Sequence, residues 1–267
     1  MAGARKSDFE KAFRDLANGL VRSHLWRMLA WQEIRQRYRR SLLGPFWLTI
    51  SMGIMLGAMG PLYGKLFGQD ISSYLPHLAV GYVVWILISS LVNEGCNAFI
   101  LSESLIKQAP MPLSVHVFRM IFRNLIISAH HLLIVAAVLV LYPPKAPWEL
   151  LFAPVGVLAI AVNGVWVGLL LGILCARFRD IPLIVQSVMQ VAFFLTPVLW
   201  KPGSLGGYAW IAIWNPFYSF VEIVRAPMLG LPVGADSLIV VLAVTIAGSA
   251  LALALFARYR ARIAYWV

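Results

Sequence analysis

The chain has 267 residues, of which 61% are hydrophobic and only 12% are charged, and its formal net charge is +11. A soluble domain carries roughly 25% charged residues, so this composition excludes an ordinary soluble domain. The basic residues crowd the N-terminus and the segments between alternate apolar runs, as they do on the cytoplasmic side of membrane proteins. This distribution favours a membrane protein over a nucleic-acid-binding protein, and no nucleic-acid partner is predicted.

The N-terminal segment, residues 1–41, is predicted to be a cytoplasmic amphipathic segment at the membrane interface. Phe9, Phe13, Leu16 and Leu20 recur at helical spacing, with charged residues on the other faces. A helix with an apolar stripe and basic flanks lies in the interface. The alternative is a soluble helix that packs on a partner. The first residues lack the apolar core and cleavage site of a signal peptide, so we expect them to be retained.

Residues 42–267 are predicted to form one all-α, polytopic domain of six transmembrane helices. Apolar runs long enough to cross a bilayer occur at about 42–65, 75–100, 115–142, 148–176, 183–200 and 236–257. All of the 22 Lys and Arg residues except Lys65, Lys145, Lys201 and Arg225 then fall in inner segments. This bias predicts that both termini lie in the cytoplasm.

The segment between the fifth and sixth spans, about 202–235, is apolar in pieces but is repeatedly broken by Pro and Gly. Each piece is too short to span a bilayer, so the segment is predicted to be a re-entrant, extracytoplasmic hairpin. Asn215 and Pro216 would form its turn, with Pro216 starting the second short helix. The alternative is a periplasmic loop that lies flat on the membrane.

Few residues in the spans suggest chemistry. His130 and His131 are adjacent in the third span and therefore point about 100° apart on a helix, which argues against a shared metal and leaves a proton relay as the alternative. Glu94 is an acid well inside an apolar run and is interpreted as a polar contact between helices, with a catalytic carboxylate as the alternative. Cys96 and Cys175 are interpreted as packing residues. The chain is therefore not predicted to be an enzyme.

Three segments carry a resemblance to a known family. The segment RYRRSLLGPFW, before and at the start of the first span, fits the pattern Arg-Tyr-(Lys/Arg)-x-Ser-x-Leu-Gly-x-x-Trp. The matching residues are Arg37, Tyr38, Arg39, Ser41, Leu43, Gly44 and Trp47. RFRDI follows at 177–181, and FFLTPVLW with NPFYSFVEIVRAPMLG follows within 193–230. Together these segments resemble the permeases of polysaccharide-exporting ABC transporters, which export O-antigen, capsular polysaccharide or teichoic acid.

The resemblance implies a translocation channel in the cytoplasmic (inner) membrane, made by a homodimer of this chain. A separate ABC ATPase subunit would bind ATP and Mg and supply the energy. The cargo would be a polysaccharide or an undecaprenyl-linked glycan, most simply O-antigen for lipopolysaccharide biosynthesis. Two alternatives are an ABC permease for a drug or small lipid and a membrane-embedded glycan-processing enzyme.

The arginine cluster before the first span consists of Arg35, Arg37, Arg39 and Arg40. Guanidinium groups at this position can hold anionic membrane lipids. They can equally bind the pyrophosphate of a lipid-linked glycan, because their paired donors match phosphate oxygens. Both interpretations remain open from the sequence.

The segment SESLIKQAPMP, residues 102–112, is predicted to be a short cytoplasmic helix with Ser102 as N-cap and Pro110 as its stop. In the family this position holds the coupling helix, which implies that Ser102, Glu103, Ile106 and Lys107 contact the ATPase. An ordinary loop is the alternative.

The hairpin would supply the extracytoplasmic gate, with Trp214, Asn215, Pro216, Tyr218 and Phe220 as its candidate residues.

Overall fold

The computed structural model describes residues 6–39, 41, 43–44, 46–109, 111–203, 212 and 214–267, and its regular structure in these ranges is helical. The α-helices are α1 (Lys6–Val21), α2 (Ser23–Tyr38), α3 (Phe46–Leu66), α4 (Ile71–Cys96), α5 (Glu103–Gln108), α6 (Ser114–Leu141), α7 (Ala153–Arg177), α8 (Ile181–Leu195), α9 (Pro216–Met228), α10 (Ala235–Tyr259) and α11 (Ile263–Trp266). Short 3₁₀ segments at Ile100–Ser102, Pro147–Phe152 and Arg260–Arg262 precede α5, α7 and α11.

Five of the described helical segments are long and apolar enough to cross a bilayer: α3, α4, α6, α7 with the preceding 3₁₀ turn, and α10 extended to Trp266. The fifth predicted span differs, because α8 has 15 residues. At 1.5 Å per residue it is about 22 Å long, against a hydrocarbon core of about 30 Å. It ends at Leu195 because Thr196 is extended, as expected before a proline.

Helix α4 forms the centre of the bundle and packs against α3, α6, α7, α8 and α9. Of its most apolar 18 residues, 67% are buried, compared with 17% for α10. The outward faces of α3, α8 and α10 instead expose large apolar side chains such as Ile54, Val188 and Ile246. Such faces suit a lipid environment, so the structure is that of a multi-pass membrane protein.

Small residues let the central helices approach closely. A Cβ at Gly95 of α4 would lie 3.3 Å from Cα of Gly168 in α7. A Cβ at Gly156 of α7 would lie 2.5 Å from the carbonyl oxygen of Ile223 in α9. Small residues at such crossings are typical of membrane helix packing, where van der Waals contact replaces the hydrophobic effect. The first contact joins α4 to α7, and the second holds α9 against α7.

The N-terminal amphipathic stretch is two helices that break at Arg22. On α1, Ala12, Asp15 and Gly19 form the buried face, while Phe13 and Leu20 of the predicted apolar stripe are more than half exposed. The buried face packs on the start of α6 and on α10. Phe9 and Leu16 of the stripe pack against the core, so only part of it is free to enter an interface, and the position of the helix relative to a membrane stays a prediction.

The bundle has two ends, which we name by their residues. The α5 end contains α5, the start of α6 and the junction between α7 and α8. The Asp70 end contains the α3–α4 junction and the connection between α6 and α7 at residues 142–146.

Candidate functional site

A groove of about 510 Å³ lies between α4 and α8. Its polar lining comprises Ser89, Ser90 and Asn93 from α4 and Gln186 and Gln190 from α8. On α4, the side-chain amide of Asn93 donates to the Ser89 carbonyl at 2.8 Å and to its hydroxyl at 3.1 Å. Polar side chains in membrane helices are rare away from helix contacts or aqueous cavities, so this face is a candidate transport surface.

Aromatic rings line the same groove toward the Asp70 end. Phe193 lies 6.0 Å from Tyr82 and 5.6 Å from Trp85, measured between ring centroids. Trp85 also contacts Phe217 of α9 edge-on, at 5.6 Å. Phe194 adds a ring 5.4 Å from Phe193. The sequence could not separate rings at the membrane interface from rings along a path, whereas the structure groups these five beside the polar lining.

Helix α9 begins about halfway along the bundle. Trp85, which contacts Phe217, is 14 residues into α4, or about 21 Å from its start. At the other end of α9, Arg225 lies beside His77, near the start of α4. The helix therefore runs from mid-depth to the Asp70 end, which is the geometry expected for the second half of a re-entrant hairpin. The first half falls largely outside the described residues.

The start of α9 agrees with the sequence prediction. Pro216 is the first helical residue, and Asn215 accepts a hydrogen bond from the Phe217 N–H at 3.0 Å. The Asn215 amide also donates to the Thr196 hydroxyl at 2.9 Å, which ties the helix start to the end of α8. Gly230, at φ 73°, terminates α9 by a left-handed turn.

The aromatic gate candidates occupy separate environments. Trp214 is 81% exposed, whereas Phe220 is 8% exposed and packs in the core. The Tyr218 ring faces the guanidinium of Arg225 at 5.9 Å. Within one chain these rings do not form one constriction, and their role in gating stays a prediction.

Arg225 was not assigned a role from the sequence, yet it is 2% exposed and holds α9 in place. Its guanidinium donates to Glu222 at 2.6 and 3.0 Å and to the carbonyl of Pro197 at 2.5 Å. Its Nη1 also lies 3.2 Å from Nε2 of His77. The sequence signal was a lone arginine in an apolar stretch, which in a membrane protein needs partners.

The arginine cluster lies where α2 ends. Arg35 and Arg37 are in the last turn of α2, and Arg39 follows it; all three side chains are exposed. The charge of Arg37 acts on the Glu94 carboxylate, whereas no ion pair of Arg35 or Arg39 is found among the described residues, so these two can take an external anion. Arg40 lies outside the described residues. Ser41 accepts a hydrogen bond from the Gly44 N–H at 3.0 Å, in the turn before α3.

The predicted coupling segment contains the six-residue helix α5, and Ser102 is its N-cap residue, as predicted. The Ser102 side chain makes no capping hydrogen bond: it is fully buried, and its hydroxyl donates to the Ala98 carbonyl at 2.6 Å and accepts from Arg119 at 2.8 Å. Ile106 is half-buried against the core. Glu103 and Lys107 are exposed and paired at 2.7 Å. Pro110 lies outside the described residues.

Lys107 links α5 to the C-terminal segment. Its ammonium donates to the Val267 carbonyl at 2.9 Å, and Arg179 donates to the Trp266 carbonyl at 3.2 Å. The hydrogen bond and charge of Lys107 lower the pKa of Glu103 below its usual value. Glu103 and Lys107 therefore present a charged surface at the α5 end.

An ion-pair cluster beside this surface was only partly predicted. Glu94 accepts from Arg123 at 2.6 Å and from Asn124 at 2.6 Å, which confirms the predicted contact between helices. Arg123 also pairs with Glu33 of α2, and Arg119 lies 3.1 Å from the same carboxylate. Sequence spacing alone could not bring Glu33 to α6, because the two positions are separated by about 90 residues.

Comparison with known proteins decides the family. A profile described as "ABC-2 type transporter" matches residues 24–229, which is more than half of the chain. This chain belongs to the ABC-2 type transporter family. Within the family, it is 25% identical over 177 residues to the O-antigen export system permease protein RfbA of Myxococcus xanthus, which covers 66% of this chain and 68% of that protein.

Two proteins of the same name from Klebsiella pneumoniae are also similar. They are 22% and 23% identical over 201 and 198 residues, each covering 71% of this chain and 74% of the relative. This ABC-2 transporter chain thus resembles polysaccharide-export permeases along most of its length, in agreement with the resemblance of its motifs. The family match extends from α2 to the end of α9 and so includes the arginine cluster, α5 and the α4–α8 groove.

Proposed function

We propose that this chain is the channel-forming subunit of an ABC exporter that moves a polysaccharide or lipid-linked glycan, with O-antigen as the leading candidate, across the inner membrane. Two copies of the chain would work with a separate ATPase that binds ATP and Mg. Family membership and the named activity of the three relatives support the proposal. The α4–α8 groove supplies the structural argument.

The lining of the groove suits a sugar chain better than an apolar cargo. Ser89, Asn93, Gln186 and Gln190 offer donors and acceptors for sugar hydroxyls. Trp85 and its neighbouring rings offer flat faces on which the C–H faces of sugars can pack. A path for a drug or lipid tail has no need for four hydrogen-bonding side chains along one face.

The proposed orientation places the α5 end in the cytoplasm and the Asp70 end outside. The excess of Lys and Arg in segments at the α5 end supports this assignment. It puts α5 where the ATPase can reach Glu103 and Lys107, and it puts α9 in the outer half of the membrane. The arginine cluster at the end of α2 would then meet anionic lipid headgroups or the pyrophosphate of the cargo at the inner face.

Export by the chain with its ATPase tests the proposal. We expect Gln186→Leu with Gln190→Leu to reduce the glycan delivered outside at least tenfold, because an apolar surface replaces hydrogen-bonding groups, a loss of about 1.4 kcal/mol or more. Ser187→Leu with Val188→Leu is the matched control, since both residues are exposed on α8 but do not line the groove. Equal export by both variants, with equal amounts in the membrane, would contradict the proposed path.

A small-lipid permease is a second candidate because of an apolar cavity of about 280 Å³ between α4, α7 and α9. Leu91, Leu170 and Phe220 contribute to its walls. The cavity is small for a glycan chain but can hold part of a lipid tail. Export of a fluorescent short-chain phospholipid that survives the double glutamine substitution, with no glycan export by the unchanged protein, would favour this function.

A further inference from the structure

A second, larger cavity lies at the Asp70 end and shares no lining residue with the α4–α8 groove. Its volume is about 610 Å³. The start of α4 forms one wall, with Ser72, Ser73 and His77; α9 forms another, with Tyr218, Glu222 and Arg225. Lys145 of the α6–α7 connection and Lys201, after α8, complete the charged lining.

The cationic lining is unusual for this end of the molecule. Only four basic residues of the sequence, Lys65, Lys145, Lys201 and Arg225, fall in segments that the topology places outside. Three of them line this cavity, and Lys65 does not. The basic residues of the outer segments are therefore concentrated around one space.

The charged residues that line the cavity carry a net charge of about +2. Arg225 is paired with Glu222 at 2.6 Å, so their charges offset each other. Lys145 has no carboxylate partner within the described ranges, and Lys201 reaches only the Ser73 hydroxyl, at 3.4 Å. Two ammonium groups with nearby hydroxyls therefore face a common space without a counter-ion from the described part of the chain.

The environment of Lys201 makes an anion favourable there. Partial burial lowers the pKa of Lys201, and the charge of Arg225 lowers it further. Arg225 cannot turn away, because its guanidinium is 2% exposed and is held by Glu222 and the carbonyl of Pro197. An anion between the ammonium groups would relieve the repulsion that the fixed arginine imposes.

We propose that this cavity is a binding site for the phosphate or pyrophosphate group of a phosphorylated ligand. Lysine ammonium groups bind phosphate as point charges, and two of them match a doubly charged group. The volume is within the range of about 300–1,000 Å³ for ligand sites, and it exceeds that of a phosphate alone, so the group would be part of a larger molecule. The ligand is a lipid headgroup or a phosphate compound free in solution.

The inference rests on the proposed function, because the cavity is on the exit side only if the chain is an exporter in the proposed orientation. Its test is independent of export and of the ATPase. Purified full-length chain in maltoside micelles, which contain no phosphate, is treated with an amine-reactive ester. Mass spectrometry then measures the modification of Lys145, Lys201 and Lys65 with and without inorganic pyrophosphate.

Pyrophosphate at ten times its Kd should lower the modification of Lys145 and Lys201 about tenfold, because nine-tenths of the sites are then filled. Lys65 is exposed at the same end and lies outside the cavity, so its modification should not change. Lys145→Gln should weaken the protection of Lys201, while Lys65→Gln should leave it intact. A parallel sample in phosphatidylglycerol nanodiscs without pyrophosphate reports on a lipid headgroup as the source.

Protection in either sample supports the phosphate site, and protection in the nanodiscs shows that a lipid headgroup can occupy it. The proposal is overturned if neither sample protects the two lysines, if Lys65 is protected equally, or if glucuronate protects them better than pyrophosphate does. Protection without any glycan export would keep the anion site and reject the proposed export function. Export without protection of the lysines would support the export function and reject the anion site.

Discussion

Arg123 connects three helices in the interior of the α5 end. It joins Glu33 of α2 to Glu94 of α4, and its side chain is only 11% exposed. Neighbouring Arg119 adds a second guanidinium to Glu33 and reaches Ser102 before α5. The cluster therefore connects the N-terminal helices, the centre of the bundle and the segment proposed to meet the ATPase.

Replacing Arg123 should destabilise the protein strongly. Arg123→Gln leaves Glu94 with Asn124 alone and weakens the tie to Glu33, and breaking a buried ion pair costs about 3–5 kcal/mol. Arg14→Gln removes an ion pair whose side chains are both 72% exposed, so its expected cost is below about 1 kcal/mol. Thermal unfolding in detergent compares the two variants. Equal midpoints would show that the Arg123 cluster adds no stability.

Asp15 of α1 caps the start of α6. Its carboxylate accepts the backbone N–H groups of Leu113 at 3.2 Å and Ser114 at 3.0 Å. Asp15→Ala should cost about 0.5–2 kcal/mol, the range for loss of a helix cap. Hydrogen exchange in the first turn of α6 measures the effect, and exposed Glu10→Ala is the control. Unchanged exchange in the Asp15 variant would contradict the capping role.

At the scale of elements, α9 is the least ordinary helix. Its 13 residues are about 20 Å long, too short to span a bilayer, yet most of its length is buried against α4, α7 and α10. Close contact at Gly156 and the hydrogen bonds of Arg225 hold it there. A helix this short, buried by its neighbours, is what a re-entrant hairpin would require, and the position of α9 relative to a membrane stays a prediction.

The gate hypothesis predicts labelling that depends on turnover. Single cysteines at positions 208, 214, 218 and 222, in a chain with Cys96→Ser and Cys175→Ser, are treated from outside with an impermeant thiol reagent. Trp214→Cys, at an exposed position just before α9, reports whether water from outside reaches the start of this helix at rest. Tyr218→Cys and Glu222→Cys should react faster during ATP hydrolysis. Position 208 lies outside the described residues. Labelling that is equal in both states at every position would leave only a surface loop.

Helix α5 should contact the ATPase through its exposed face. Cysteines introduced at Glu103 and Ser104, both exposed, should crosslink to the partner. Lys145→Cys is the control, because the connection between α6 and α7 lies at the opposite end of the bundle. A crosslink from Lys145→Cys to the ATPase would overturn the proposed orientation, while its absence from both α5 positions would remove α5 from the interface.

At the scale of the whole molecule, the polar face of α8 must be shielded from lipid tails. Gln186 and Gln190 are exposed in one chain, and amide groups facing lipid tails are costly. A second copy or a water-filled path would remove that cost, which is why we expect a dimer with α8 near its axis. Gln190→Cys should crosslink two copies, whereas Leu251→Cys, on the apolar outer face of α10, should not. The reverse pattern would place the dimer contact on α10.

The sequence by itself determined the class of the molecule. The length of the apolar runs predicted the helices α3, α4, α6, α7 and α10 to within a few residues. A long apolar run in a membrane forms a helix because its backbone polar groups must be hydrogen-bonded within the segment. Local chemistry also predicted the start of α9 at Pro216, since capping involves only neighbouring residues. The three motifs were enough to indicate the family.

Tertiary structure decided everything that depends on contacts between distant residues. It directed the Ser102 hydroxyl away from the helix that this residue was predicted to cap, because the hydroxyl donates to the Ala98 carbonyl and accepts from Arg119. It brought Arg225 to His77 across about 150 residues and collected Lys145 and Lys201 around one cavity. Helical periodicity tells which face of one helix is apolar, but which helices meet, and at what depth, follows only from how their surfaces pack.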